Sequence, residues 1–247
     1  MIKTILLFIY VGAGAIYLCV FAAIDLFFSL FGLHKPMTIM LYKVCQYWSR
    51  SLIALTGCKV TVTGTENIPR SGGICYVGNH GSIFDVILAL AYCGRPFGFI
   101  AKKELAIVPF INFWILMLGG YFVDRGNVRS AIKTIDKGVE KIKAGGAMIV
   151  FPEGHRSRGQ GLLPFRPGAL KLATKAKAVI VPMAISGSYE VFEKNKRFVS
   201  GPIGVSFCEP INTADMTPEE RKFNLCDKLY SIIKERLDSG NGVPESV

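Results

Sequence analysis

The chain has 247 residues, 51% of them apolar and 19% charged; this excludes intrinsic disorder and is long enough to bury one substantial core without disulfides or a structural metal. Twenty-nine basic against 18 acidic side chains leave a net charge of +11, which points to an anionic partner: nucleic acid, an anionic membrane surface or a phosphorylated substrate. The seven cysteines (Cys19, Cys45, Cys58, Cys75, Cys93, Cys208, Cys226) are odd in number and form no C-x-x-C pair, which fits reduced thiols facing a cytosolic compartment.

Residues 4–24 are 21 positions without a formal charge, the length of helix that crosses a hydrocarbon core of about 30 Å. A mean hydropathy of +0.38 agrees with lipid contact. The apolar run is too long for the core of a signal peptide and no A-x-A cleavage site follows it. Asp25 near its end implies burial against protein or a place near the interface. Residues 36–55 are mostly apolar but carry Lys43, Gln46 and Arg50, the pattern of an interfacial helix turned back against the first. Residues 1–57 are thus expected to form a membrane-embedded helical hairpin and residues 58–247 a separate domain. All of the net charge lies after Leu33, so the tendency of basic segments to stay inside places that domain on the cytoplasmic side.

Lys59 to Thr63 (KVTVT) alternates and is β-branched, the signature of a strand; 73–78 reads as another. Residues 82–92 are helical with Ser82 as cap. Strands are expected at 97–101, 121–123, 147–151, 179–184 and 204–207, with helices at 128–144 and 168–176. The last helix opens on the capping box Thr217-Pro218-Glu219-Glu220 and lines up Phe223, Cys226, Tyr230, Ile233 and Leu237 at spacings of three and four. Strands alternating with helices imply an α/β layered domain.

Asn79-His80-Gly81-Ser82-Ile83-Phe84-Asp85 joins a strand to a helix. On one regular helix His80 and Asp85 would lie about 140° apart. With His80 just ahead of the helix, its ring can fold back so that Asp85 binds one ring nitrogen and leaves the other as a base. Ser82-x-x-Asp85 also reads as a variant capping box with His80 a loop residue. Ser82 lacks the G-x-S-x-G setting of a nucleophile.

Phe151-Pro152-Glu153-Gly154-His155-Arg156-Ser157-Arg158 follows a strand, where α/β ligand sites form, and its arginines suit bidentate pairing with phosphate. A solvated charged loop is the alternative. Gly119 to Gly126 repeats the arrangement with Asp124-Arg125, and Lys102-Lys103 follow a strand. Residues 102–177 hold 14 basic and 5 acidic side chains. With neither H-E-x-x-H nor a cysteine pair, and no P-loop, neither a metal nor a nucleotide loop is expected.

Taken in this order, the segments resemble the glycerolipid acyltransferases, in particular those acting on 1-acylglycerol 3-phosphate. Asn79, His80, Ser82 and Asp85 match the family's first motif, residues 122–125 its second, Phe151 to Ser157 its third and the proline-bearing strand with Pro182 its fourth. The likeness spans about residues 61–188; Gly81 replaces a usual Gln or Arg, and His155 a usual Thr or Ser. The resemblance implies a mixed, mostly parallel sheet flanked by helices. It also implies acyl transfer from acyl-CoA or acyl-carrier-protein, as co-substrate and with no cofactor, to lysophosphatidic acid. His80 would be the base and Asp85 its orienting acid. Arg125, Glu153, Gly154 and Arg156, with Lys102, Lys103 and Pro182, would form the substrate-binding set. The expected partners are lysophosphatidic acid, the thioester donor and membrane lipids, not nucleic acid. An acyltransferase using glycerol 3-phosphate or another lysophospholipid, and a non-catalytic binder of anionic lipid, are the alternatives.

Overall fold

The computed structural model describes residues 2–32, 34–124 and 126–240. Arg125 and the side chain of Asp25 therefore lie outside the described residues. Two helices open the chain, α1 (Ile2–Ser29) and α2 (His34–Thr56), packed against each other. Gly14 makes the contact possible: a Cβ there would stand 1.9 Å from the Trp48 indole nitrogen, so only a bare backbone admits the ring.

The expected strands all form. They are β1 (Lys59–Thr63), β2 (Ile74–Gly78), β3 (Phe97–Lys102), β4 (Tyr121–Val123), β5 (Ala147–Val150), β6 (Val179–Ser186) and β7 (Pro202–Phe207), joined by a short β8 (Ile211–Asn212). They build one sheet in the order β1-β7-β6-β2-β5-β3-β4, with β8 beside β6. β6, β2, β5, β3 and β4 run parallel; β7 and β8 are antiparallel to β6. The five parallel strands therefore end on one edge of the sheet, the side where α/β proteins bind ligands.

Helices cover both faces, and strand alternation divides the core between them. Ile74 and Tyr76 of β2 turn to one cluster with Leu88 of α3 (Phe84–Tyr92), while Cys75 and Val77 turn to the other with Val139 and Ile142 of α5 (Val128–Lys143). α2 belongs to the first layer as well as to the hairpin, since Leu41, Tyr42, Cys45 and Ile53 are buried in that same cluster. Its Gln46 and Arg50, expected at a membrane interface, donate to the Ala91 carbonyl at 3.2 and 3.0 Å. The last-turn carbonyls of a helix have no partner within it, and these two side chains satisfy one of them.

The sequence pattern does not show the short helix α4 (Ile111–Met117), α6 (Lys171–Ala176) is preceded by a 3-10 turn, and α7 (Ser188–Val191) is a single turn. In the last helix, the capping box forms as expected, Thr217 N to Glu220 Oε2 at 2.7 Å and Glu220 N to Thr217 Oγ1 at 3.2 Å. A π-turn at Glu220–Asn224 then shifts the register ahead of α8 (Leu225–Asp238). Phe223, in line with Cys226 and Tyr230 by spacing, is consequently exposed, while Leu225 and Leu229 are buried.

Lys141 closes the turn between α4 and β4, its ammonium donating to the Gly119 carbonyl at 2.9 Å. Burial pushes its pKa down to about 8 from an ordinary 10.5. The folded chain thus carries a penalty for the charged amine below pH 8, relieved as pH rises toward 10.5. The melting temperature of the wild type relative to Lys141→Met is expected to rise between pH 7.5 and pH 10; a difference that does not change with pH would contradict this.

Candidate active site

The site is assembled by strand register. Val77 of β2 pairs with Val150 of β5, and three residues beyond each member of that pair His80 and Glu153 meet. On the other side of β2, Gly78 pairs with Met183 of β6. Asn79 then extends the sheet with its side chain: Nδ2 donates to the Ile185 carbonyl and Oδ1 accepts the Ile185 N–H, both at 2.8 Å. An amide that imitates a backbone pair carries the chain off β2 in a fixed direction.

His80 lies ahead of α3 and its ring folds back over the helix start. Nδ1 is 2.9 Å from Asp85 Oδ2, with Asp85 fully buried and the His80 side chain 17% exposed. The same carboxylate oxygen accepts the Ser82 N–H at 2.9 Å, and Ser82 Oγ accepts the Phe84 N–H at 3.1 Å. The capping box and the His-Asp pair, separate readings of the sequence, are one structure. Because a carboxylate oxygen accepts, Nδ1 is the ring nitrogen that donates to Asp85, and Nε2 is turned away from it. Nε2 makes no hydrogen bond to the described residues. The imidazole stacks on Phe151 at 4.2 Å between centroids, which fixes its plane.

Glu153 holds this loop from behind. Its Oε1 accepts the His80 N–H at 2.5 Å and its Oε2 the Leu163 N–H at 3.1 Å, with the residue 2% exposed. Desolvation raises its pKa, against the pull of those two N–H groups. Glu153, expected in the substrate-binding set, has both oxygens on backbone donors and so braces the His80 loop. Ser157 N to the His80 carbonyl (2.8 Å) and Arg158 N to the Gly81 carbonyl (3.2 Å) complete the splice between the two motifs. Gly154 has φ +78°, a conformation that favours glycine, and a Cβ there would press on the Arg166 side chain, 3.1 Å from Nε.

Arg156 is one-third exposed and paired with Glu193. Lys102 is exposed at the end of β3; Lys103 is 2.8 Å from Asp124 Oδ2, and that bond with the Gly126 N–H holds the Asp124 carboxyl below its usual range. His155 is exposed, its ring reaching only the Arg156 carbonyl at 3.3 Å. Pro182 does not reach the site: it is buried within β6, where its carbonyl accepts the Cys208 N–H at 2.8 Å. Its missing N–H falls within the sheet, beside Val77 of β2. Beside Asn79 and Gly81 opens a cavity of about 420 Å³ walled by Gly159, Gly161, Gly187 and Ser188. A side chain at Gly81 would point toward Ser188 Oγ, 3.6 Å from a Cβ, so the absence of one leaves this space open.

Glu193 and the structural role of Asn79 are not evident in the sequence reading. Asn79 binds Ile185, 106 positions on, and Glu193 binds Arg156 and Ile83, 37 and 110 positions back; only the fold supplies those pairings.

Known proteins resemble this chain in sequence and in fold. The sequence profile of the Acyltransferase family matches residues 59–186. The chain is 31% identical to the 1-acyl-sn-glycerol-3-phosphate acyltransferase of Borreliella burgdorferi over 75% of its own length and 74% of that protein's. For the enzyme of the same name from Saccharomyces cerevisiae the figures are 37%, 73% and 62%, and for that from Escherichia coli 29%, 90% and 88%. Its fold is similar to the crystal structure of the 1-acyl-sn-glycerophosphate (LPA) acyltransferase PlsC of Thermotoga maritima, with a TM-score of 0.82 and 27% identity over 99% of both chains.

Proposed function

The chain belongs to the acyltransferase family and is an acyltransferase, and from that premise we propose that it moves a fatty acyl group from an acyl thioester to the sn-2 hydroxyl of 1-acylglycerol 3-phosphate, giving phosphatidic acid. The observation that carries the proposal is the buried Asp85 carboxylate on His80 Nδ1, which leaves Nε2 as the free base. Nε2 takes the proton of the acceptor hydroxyl as its oxygen attacks the thioester carbonyl carbon. The tetrahedral intermediate expels the thiolate, which recovers the proton from the imidazolium and leaves as CoA or as the thiol of an acyl carrier protein. The bond formed is the ester C–O, the bond broken the C–S, and nothing is oxidised or reduced. The names of the relatives support lysophosphatidic acid as acceptor.

The reaction belongs at a membrane surface, on the cytoplasmic side by the charge bias of the body. α1 is long and apolar enough to cross a bilayer, and most of its apolar side chains are exposed. Ile107, Phe110, Ile111 and Leu116, also exposed, extend that surface onto α4, which touches α1. A diacyl product and a monoacyl acceptor both reside in lipid, so an active site held there meets them without extracting them.

The decisive test is release of thiol from oleoyl-CoA by the purified protein with 1-oleoylglycerol 3-phosphate in mixed vesicles, and the same assay with glycerol 3-phosphate and other lysophospholipids. Thiol release that does not require a phosphorylated acceptor would overturn the assignment. Arg156 is proposed to hold that phosphate. Arg156→Ala is accordingly expected to raise the acceptor KM by about 10- to 100-fold, the worth of a charge-assisted contact, with kcat changed much less. Equal acceptor KM values for the variant and the wild type would remove Arg156 from the phosphate site.

A further inference from the structure

We infer that Glu193 is a positioning residue that aims Arg156 at the acceptor phosphate while anchoring the start of α3. The inference rests on the reading of Arg156 as the phosphate contact. Glu193 lies in the segment after α7, outside all four motifs, and its side chain is 11% exposed. One of its oxygens, Oε1, accepts both Arg156 Nη1 and the N–H of Ile83 at 3.1 Å. Ile83 sits between His80 and the first turn of α3, and its own side chain is 55% exposed, so packing does not hold that residue; the carboxylate does.

The consequence for Arg156 is geometric. A guanidinium has five donors in a rigid fork, and an unrestrained arginine side chain carries about 2 kcal/mol of rotamer entropy. Glu193 engages one end of the fork, while Nη2 and Nε donate to none of the described residues. The fork is thus fixed in direction with its remaining donors free, the arrangement that suits bidentate capture of a phosphate. The guanidinium stands between the two anions, so the glutamate directs the cation without facing the ligand itself.

The support for Glu193 is equally defined. Lys194 N to the Tyr189 carbonyl (3.2 Å) and Val199 N to the Val191 carbonyl (2.8 Å) close the segment into a compact loop. Phe192 and Phe198, with centroids 4.9 Å apart, both pack on Phe8 of α1 at 5.7 Å. The residue that orients the phosphate contact is therefore carried by a loop seated on the helix proposed to lie in the bilayer.

Glu193→Gln removes the charge and keeps the acceptor: an amide oxygen still accepts the Ile83 N–H, whereas its contact with Arg156 Nη1 falls from a charge-assisted hydrogen bond to a neutral one. With the full-length protein in vesicles, oleoyl-CoA as donor and 1-oleoylglycerol 3-phosphate as acceptor, we expect the acceptor KM to rise roughly 5- to 20-fold. The donor KM should stay as it is and kcat should stay within about twofold. In an Arg156→Ala background the same substitution should move the acceptor KM by less than about twofold, since the group it positions is gone. A merely structural role would lower thermal stability and reduce kcat for both substrates alike, with equal effects in either background; that result, or an unmoved acceptor KM, overturns the inference. If Arg156→Ala by itself leaves the acceptor KM unchanged, the phosphate reading fails, and the inference falls with it.

Discussion

His80→Ala is expected to cut kcat by about 10²- to 10⁴-fold, the usual worth of a positioned general base. The acceptor KM should move little, because the proposed phosphate contact is on Arg156, in a different loop. The backbone around position 80 gives no reason for collapse: the N–H to Glu153 and the carbonyl to Ser157 are main-chain groups that alanine keeps. The side chain lost is a ring stacked on Phe151 and bonded to Asp85, so a stability loss of about 1–2 kcal/mol is expected and the assay should be run well below the melting temperature. Vesicle association, which depends on α1 and not on the imidazole, should be that of the wild type. A purified variant that binds vesicles, melts normally and still releases thiol at a wild-type rate would mean that the hydroxyl loses its proton to some other group.

The parts of the molecule that were legible in the sequence are those in which neighbours along the chain determine the outcome. Alternation in KVTVT and the short apolar runs placed the strands, and the capping box at Thr217 placed the start of the last helix. The spacing of His80 and Asp85 permitted a folded-back ring, which is what forms. Where a side chain's partner comes from another strand or helix, the reading stopped short. Glu153 looks like a ligand group in a charged loop, yet the pairing of Val77 with Val150 delivers it to the backbone N–H of His80. Gln46 and Arg50 look interfacial because the α3 carbonyl they bind is 41 to 45 residues distant. Phe223 illustrates a different limit: periodicity presumes an unbroken 3.6-residue turn, and one π-turn moves the stripe. Pro182 shows a third, since a residue that marks a motif lies buried within a strand, where only the fold places it.

Asp85→Asn distinguishes the two roles that share one carboxylate. If Asp85 were only the second half of a capping box, asparagine would be nearly neutral, because its amide oxygen can still accept the Ser82 N–H. That same N–H dictates the orientation of the new side chain. An NH2 group turned toward Ser82 would oppose donor to donor, so the oxygen takes the place of Oδ2 and the amide nitrogen that of Oδ1, which is buried and has no partner among the described residues. The oxygen then also accepts from His80 Nδ1, and the imidazole keeps the tautomer with a free Nε2. What vanishes is the negative charge beside the imidazolium that forms as the hydroxyl gives up its proton. A charge-assisted hydrogen bond reduced to a neutral one in a site this dry corresponds to roughly 3 kcal/mol in the transition state, or about 10²- to 10³-fold in kcat. Asp85→Ala should lose more, since it also frees the ring to rotate and leaves Ser82 N–H without its acceptor, with about 1 kcal/mol of stability lost from the cap. The ordering wild type, asparagine, alanine in kcat, with only alanine clearly less stable, is the signature of a carboxylate that both starts a helix and tunes a base. Wild-type turnover in Asp85→Asn would leave the helix start as its whole purpose and take the mechanism proposed for His80 with it.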